Sequence, residues 1–317
     1  MSTRITARFS RCYNDIMKNT HLEHPEDAIL NGGLDGARQV IKFFREKNST
    51  LSVKWDGAPA IVWGMNPENG KFFVGTKSVF NKVKVKVNYT HHDIEVNHGD
   101  KPSLASVLHS CLDNLPKLHG VYQGDFIGFG GTDTYTPNTI TYKFPSANYK
   151  SIVFAAHTAY DGSTLKEMQA SFDSPFCINE EPFRVKFLKK DASFTSRRSR
   201  IDYLLDIADL AINFVRLPEG KEGQELKKSV NHCIRLQKDI SCAGMGKRLT
   251  FIYKLFTYIK HLLMEGVESK EDVQCFIGDE PTTHEGYVMS NQFGTYKLVN
   301  RRQFSYANFT VQKQWDK

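Results

Sequence analysis

Four side chains of complementary chemistry are spread along the 317-residue chain, each beside a short apolar run: Lys54, Asp125, Glu285 and Lys297. A lysine amine that is neutral part of the time is a nucleophile, and burial or neighbouring cations lower its pKa in that sense. Two carboxylates, Asp125 and Glu285, supply the oxygen ligands that Mg²⁺ takes, and a second lysine neutralises phosphate charge. Together they form the set that phosphoryl-group chemistry requires. Each member also has a plainer reading. Lys54-Trp55-Asp56-Gly57 alone is an ordinary hairpin turn with an exposed lysine, and single strand-end acids are usually solvated. The ordered succession of all four is what favours chemistry.

The elements that must position them follow from local pattern. Leu51-Ser52-Val53 before the tetrapeptide and Ala60-Ile61-Val62-Trp63 after it read as strand, tight turn at Asp56-Gly57, and second strand. Asp125 lies in the apolar-flanked strand 120–128, Glu285 begins the strand 284–289, and Lys297 sits in the strand 295–302 with Arg301 and Arg302 behind it. Pro25-Glu26-Asp27 suits a helix start, and Val40, Ile41, Phe43 and Phe44 give a later helix an apolar side, with Gly32-Gly33 between them. Residues 49 to about 162 are rich in β-branched and aromatic types, with turns at Asn69-Gly70 and Gly130-Gly131. Lys82–Val87 alternates strictly, which predicts a strand with one lysine face and one valine face. Beyond about 195 the period becomes helical, in Ile201, Leu204, Leu205, Ala208, Ala211, Ile212 and Val215 and again from Leu249 to Leu262.

At these motifs the chain resembles the covalent nucleotidyltransferase superfamily of ATP-dependent DNA and RNA ligases and mRNA capping enzymes. Lys54-Trp55-Asp56-Gly57 looks like motif I, whose lysine carries AMP, and Gly75-Thr76-Lys77 is similar to motif Ia. Gln123-Gly124-Asp125 resembles motif III with Asp in place of Glu, and Glu285-Gly286-Tyr287-Val288 resembles motif IV. Tyr296-Lys297-Leu298-Val299 is similar to motif V, except that Val299 stands where a second lysine is usual; Arg301 or Arg302 is the candidate replacement. A nearer resemblance is to an uncharacterised nucleotidyltransferase family of large tailed bacteriophages, through His21-Leu22-Glu23-His24, Lys54–Ala60, Pro137–Tyr142 and Lys297–Arg301.

The resemblance implies an α+β fold: a ligase-type nucleotidyltransferase with ATP-grasp-like antiparallel sheets flanked by helices. The expected divisions are an N-terminal helical segment (1–48) packing on the core, a first core part (49–194), a helical insertion (195–270) and a second core part (271–317). The short stretch after Lys297 is expected to carry no OB-fold, which leans toward RNA ligases. Lys54 and Lys297 would be catalytic, and Mg²⁺ or Mn²⁺ would sit at Asp125 and Glu285. ATP would be held by Lys54, Asp56, Gly57, Thr76, Lys77, Asp125, Phe154, Glu285, Lys297 and Arg301, with Phe154 stacking on adenine or, equally, lying in the core. The implied activity is an ATP-dependent polynucleotide ligase on nucleic acid, RNA ahead of DNA, with room for a protein partner that supplies an accessory module. The alternatives are a nucleotidyltransferase for another nucleotide, such as a guanylyltransferase, and a nucleic-acid-binding relative without catalysis.

Bulk properties agree without deciding. A formal charge of +7, from 42 basic and 35 acidic residues, is a mild excess that suits an acidic partner. The lysine face 82–86 and the cluster Lys186, Lys189, Lys190, Arg197, Arg198 and Arg200 read either as solvated surface or as contacts to a phosphate backbone. The 6 cysteines form no C-x-x-C pair and no apolar run reaches membrane-spanning length, so a cytoplasmic setting without membrane attachment is expected. His21-Leu22-Glu23-His24 and His91-His92-Asp93, with Glu95 and His98, lack a recognised zinc spacing and are not read as metal sites.

Overall fold

The computed structural model describes residues 22–171, 183–195 and 199–304. His21, Cys12, Cys177, Arg197 and Arg198 therefore lie outside the described residues. The architecture is mixed α and β, with several antiparallel sheets and helices at their faces.

Two helices come first among the described residues, α1 (Pro25–Asn31) and α2 (Gly33–Arg45). Strands β1 (Thr50–Lys54), β2 (Ala60–Met65) and β3 (Phe72–Gly75) follow, then the helical hairpin α3 (His91–His98) and α4 (Pro102–Asn114). Thr90 and Asp93 form a reciprocal capping box that fixes the start of α3. The central strands are β4 (Val121–Phe129), β5 (Thr132–Tyr135), β6 (Thr141–Asn148), β7 (Ile152–Asp161), β8 (Gln169–Ser171), β9 (Val185–Phe187) and β10 (Ala192–Phe194). Helices α5 (Ser199–Ala211), α6 (Gly220–Arg235) and α7 (Lys247–Glu265) come next. Strands β11 (Val267–Ser269), β12 (Gln274–Ile277), β13 (Glu280–Thr282), β14 (Gly286–Asn291) and β15 (Gly294–Val299) complete the order.

Six strands form the largest sheet in the order β3-β2-β4-β7-β8, with β9 added in parallel to β7. The α3–α4 hairpin covers one face, where Ile94, Leu108 and Cys111 pack with Ile61, Trp63 and Phe154. A second sheet, β1-β14-β15, is antiparallel throughout. Its Met289, Tyr296 and Leu298 are buried with Val40, Ile41, Phe43 and Phe44 of α2 and with apolar residues of α5, α6 and α7. Burying these stripes is the main drive for docking helices on a sheet, at about 25 cal/mol per Å² of apolar surface.

The N-terminal helices share one apolar cluster with the helices of 195–270 and with Met289, Tyr296 and Leu298 of β14 and β15. The 195–270 segment leaves and returns at one point, because β10 and β11 pair antiparallel and Thr195 N donates to Gly266 O at 2.8 Å. Lys82–Val87, in contrast, is not a strand. Lys84 takes a left-handed φ of 57° and Val83 is 77% exposed. Alternation alone does not make a strand where the apolar face finds nothing to cover it.

Candidate active site

Strand register sets the site. Lys54, the last residue of β1, pairs with Gly286 of β14; two residues further along, Val288 pairs with Lys297 of β15. Paired residues share a face and so do residues two apart, so Lys54 and Lys297 project from the same side of this sheet. Gly286 is required here, since a Cβ would lie 2.0 Å from Leu298 O. Glu285, just before it, accepts a close hydrogen bond and ion pair from Lys54 Nζ.

The turn after Lys54 carries it against the larger sheet. Ala58 N donates to Phe126 O at 3.0 Å, and Phe126 N donates to Pro59 O at 3.1 Å. Gly57 lies so close to β4 that a Cβ would meet Asp125 Cβ at 2.6 Å. Asp125 thereby comes near enough to act electrostatically on Lys54, and His157 Nε2 lies 3.6 Å from its Oδ1. Gly75, where β3 ends, pairs with Val62 near the same end of the sheet. Thr76 follows, and its hydroxyl caps the short turn Lys77–Phe80 by accepting from Ser78 N, while Lys77 is exposed.

Charge in the site is uneven. Burial disfavours the Lys54 ammonium, but the Glu285 carboxylate, with Asp125 and Asp56 behind it, holds the Lys54 pKa above the ordinary lysine value. Lys297 is different: burial first and the Lys54 ammonium second push its pKa down. Among the described residues no hydrogen bond or ion pair engages the Lys297 ammonium, although its backbone N–H donates to Glu23 O at 3.0 Å. Glu285 and Asp27 act on it only at longer range; a part-buried cation with no contact partner among the described residues, beside a second cation, is suited to an anion.

Three of the expected ligand positions are corrected. Phe154 is 0% exposed, edge-on to Trp63 at 5.1 Å and to Phe187 at 6.0 Å, so it has no face for a base and belongs to the core. Arg301 is also committed. It donates to Asp27 Oδ1 at 2.7 Å and to the Tyr253 hydroxyl at 2.6 Å, reaches Asn231, and lies 3.5 Å from Glu26. Asp56 is buried and accepts from Asn138 Nδ2 at 2.7 Å, Thr139 N at 2.8 Å and Ile140 N at 3.1 Å. Its carboxylate ties the turn to the 137–142 segment rather than facing a ligand. Val299 is buried at 4% exposure, and Arg302 is exposed.

Sequence reasoning missed two neighbours. His157 touches Asp125, and its only signal was its place on a strand that pairs with β4. His284 packs edge-on to Trp55 at 4.9 Å, and burial lowers its pKa to about 4. It supports the lysine turn as a neutral ring. A cavity of about 710 Å³ lined by Phe214, Arg216, Leu226 and Lys247 opens in the helical body and holds none of the site residues.

No curated protein and no solved structure matches this chain. One family profile does, over residues 19–245 and 222–313, a span that contains every residue of the site. The chain therefore belongs to the family of unknown function DUF6267.

Proposed function

We propose that this protein is a covalent nucleotidyltransferase, an ATP-dependent polynucleotide ligase that acts on RNA ahead of DNA through a lysyl–AMP adduct on Lys54. The observation that carries the reading is the pairing of two unlike lysines on one sheet face. Lys54 is held against Glu285 with Asp125 beside it, and the Lys297 ammonium has no contact ion pair or hydrogen bond among the described residues. The antiparallel sheets joined at the Lys54 turn support reading the fold as a ligase-type nucleotidyltransferase core.

In this reading the Lys54 amine attacks the α-phosphorus of ATP. A P–N bond forms and the P–O bond to pyrophosphate breaks. The ammonium must first lose a proton, and Glu285 is the carboxylate in contact with it. Lys297 neutralises the α-phosphate. Among the described residues no group of three or more potential ligands converges, so a metal would rest on Asp125 and Glu285 alone. That donor set suits Mg²⁺ or Mn²⁺, which keeps waters and substrate phosphate oxygens as its other ligands and would stabilise charge on the phosphates. AMP then passes to a 5′-phosphate end and a 3′-hydroxyl displaces it. The protein would work in the cytoplasm, and a partner protein would supply any accessory module.

A second reading, a relative that binds nucleotide or nucleic acid without catalysis, draws support from Arg301 and Val299. Neither offers the second phosphate cation that the resemblance implies. One experiment separates the two. The protein and Lys54→Ala are incubated with α-³²P-labelled ATP or GTP and Mg²⁺, after removal of any bound AMP, and run on a denaturing gel. Label from ATP that survives denaturation and is absent in the variant supports the ligase reading. Label from GTP alone moves it to guanylyl transfer, and no label with either nucleotide overturns covalent chemistry.

A further inference from the structure

The α3–α4 hairpin carries a second constellation, remote in role from Lys54. Each helix presents a histidine followed one turn later by an acid: His91 and Glu95 on α3, His109 and Asp113 on α4. Residues four apart share a helix face. The pairing crosses between the helices, so each histidine meets the acid of the other. His91 Nε2 lies 3.0 Å from Asp113 Oδ1, and His109 Nε2 lies 2.7 Å from Glu95 Oε1. The two Nδ1 atoms face each other at 2.7 Å, with rings only 25° from parallel.

A hydrogen inventory shows what this arrangement demands. A carboxylate only accepts, so each Nε2 must carry a proton to satisfy its contact. Both Nδ1 atoms of the neutral rings are then lone pairs, and two lone pairs at 2.7 Å repel unless something positive lies between them. A third proton would satisfy the pair. So would a metal ion, and a carboxylate on the far nitrogen is how metal-bound imidazoles are oriented.

We propose that His91 and His109 form a binding site for one divalent transition-metal ion of the zinc or copper type, with Asp113 and Glu95 as the carboxylates that orient them. The ion takes the place of the central proton, which passes to solvent. Bonds of about 2.0–2.1 Å require the two nitrogens to open to roughly 3.3 Å, a small shift for His91, whose side chain is 55% exposed. Because no third protein ligand converges among the described residues, water completes the coordination and the ion exchanges. Imidazole donors select copper and zinc over magnesium or calcium, so this site is chemically distinct from the carboxylates near Lys54. Its effect would be to clamp the hairpin whose inner face packs on β2 and β7.

The test uses the full chain, freed of metal with a chelator and dialysed. Zn²⁺, and separately Cu²⁺, are titrated against a chromogenic competitor, comparing wild type with His91→Gln, His109→Gln and, as a control, the exposed neighbour His92→Gln. The wild type and the control should bind one equivalent at least tenfold more tightly than either pair variant, and uptake should release a proton into a weakly buffered solution. Glu95→Gln should weaken binding about tenfold to a hundredfold with the fold intact by circular dichroism. It decides the matter if a histidine variant fails to fold. Equal binding by wild type and His91→Gln, or no tight equivalent in wild type, would overturn the proposal and leave a shared proton as the occupant.

Discussion

Two charged clusters meet around β15. One joins Lys54, Glu285, Asp125 and Lys297; the other joins Glu26, Asp27, Lys260 and Arg301. Each has two acids and two cations, so composition does not distinguish them. Burial and partnering do. Lys260 and Glu26 are each 0% exposed and bonded at 2.6 Å, and Arg301 closes the group through Asp27 and Tyr253. Only Glu26 Oε2 is left over within that group. In the first cluster the Lys54 side chain is 31% exposed, and the Lys297 ammonium is without a partner among the described residues. A closed set of charges holds elements together, whereas a set with one member spare and solvent at its edge has capacity for a ligand. The buried cluster binds α1, α7 and the residues after β15 into one body, and the open one uses that body as its wall.

The largest expected effect breaks the comparison on its open side. Lys54→Arg keeps the charge but removes the amine that the proposed reading makes the nucleophile, so adduct formation should vanish on the labelling gel, and any residual label at this position would refute the assignment. On the closed side, Lys260→Met leaves Glu26 buried without its main counter-ion. It should lower unfolding free energy by about 3–5 kcal/mol in denaturant titrations. Adding Glu26→Gln should recover part of that loss, and no recovery would mean that the pair is not coupled.

A pH series sharpens the contrast at the floor of the site. His284 has its pKa lowered to about 4 by burial, against 6.5 for a free ring. The native form is neutral, so the unfolded chain takes up the proton first as pH falls. Stability is full above 6.5 and declines toward 4, by roughly 3 kcal/mol in all. His284→Phe should flatten this slope. The smallest effect is Lys297→Ala, which should slow adduct formation about 100-fold, equivalent to roughly 2.7 kcal/mol. Its melting temperature should stay near that of wild type, because no described partner is stranded; a large drop would move Lys297 into the structural cluster.

Much of this contrast was legible in the chain, though unevenly. Lys54, Asp125, Glu285 and Lys297 could be singled out because chemistry restricts which residue types serve, whereas the close backbone approach at Gly57 and Gly286 shows only in the fold. Arg301 was misread since a cation near a lysine looks the same in sequence whether its partner is a phosphate or an aspartate 274 positions away. For Phe154 the sequence left stacking and a core role open for a related reason: an aromatic on a strand has two faces, and the neighbouring helix hairpin decides which is covered. Lys82–Val87 failed as a strand because periodicity states which side chains could share a face, not whether another element exists to receive them. The union of the first helices with those of 195–270 was hidden by the same long-range dependence.

That dependence has a consequence for how the protein is made. Asp27 waits for Arg301, and the Glu23 carbonyl waits for the Lys297 amide. At about 5–20 residues per second, the ribosome separates these partners by tens of seconds. During that interval α1 and α2 have emerged while their buried counter-charges remain unsynthesised. The nascent chain thus holds apolar and charged surface open until translation has passed Arg301, which makes chaperone capture most valuable early in synthesis and leaves Lys54 without its neighbour Lys297 over the same interval.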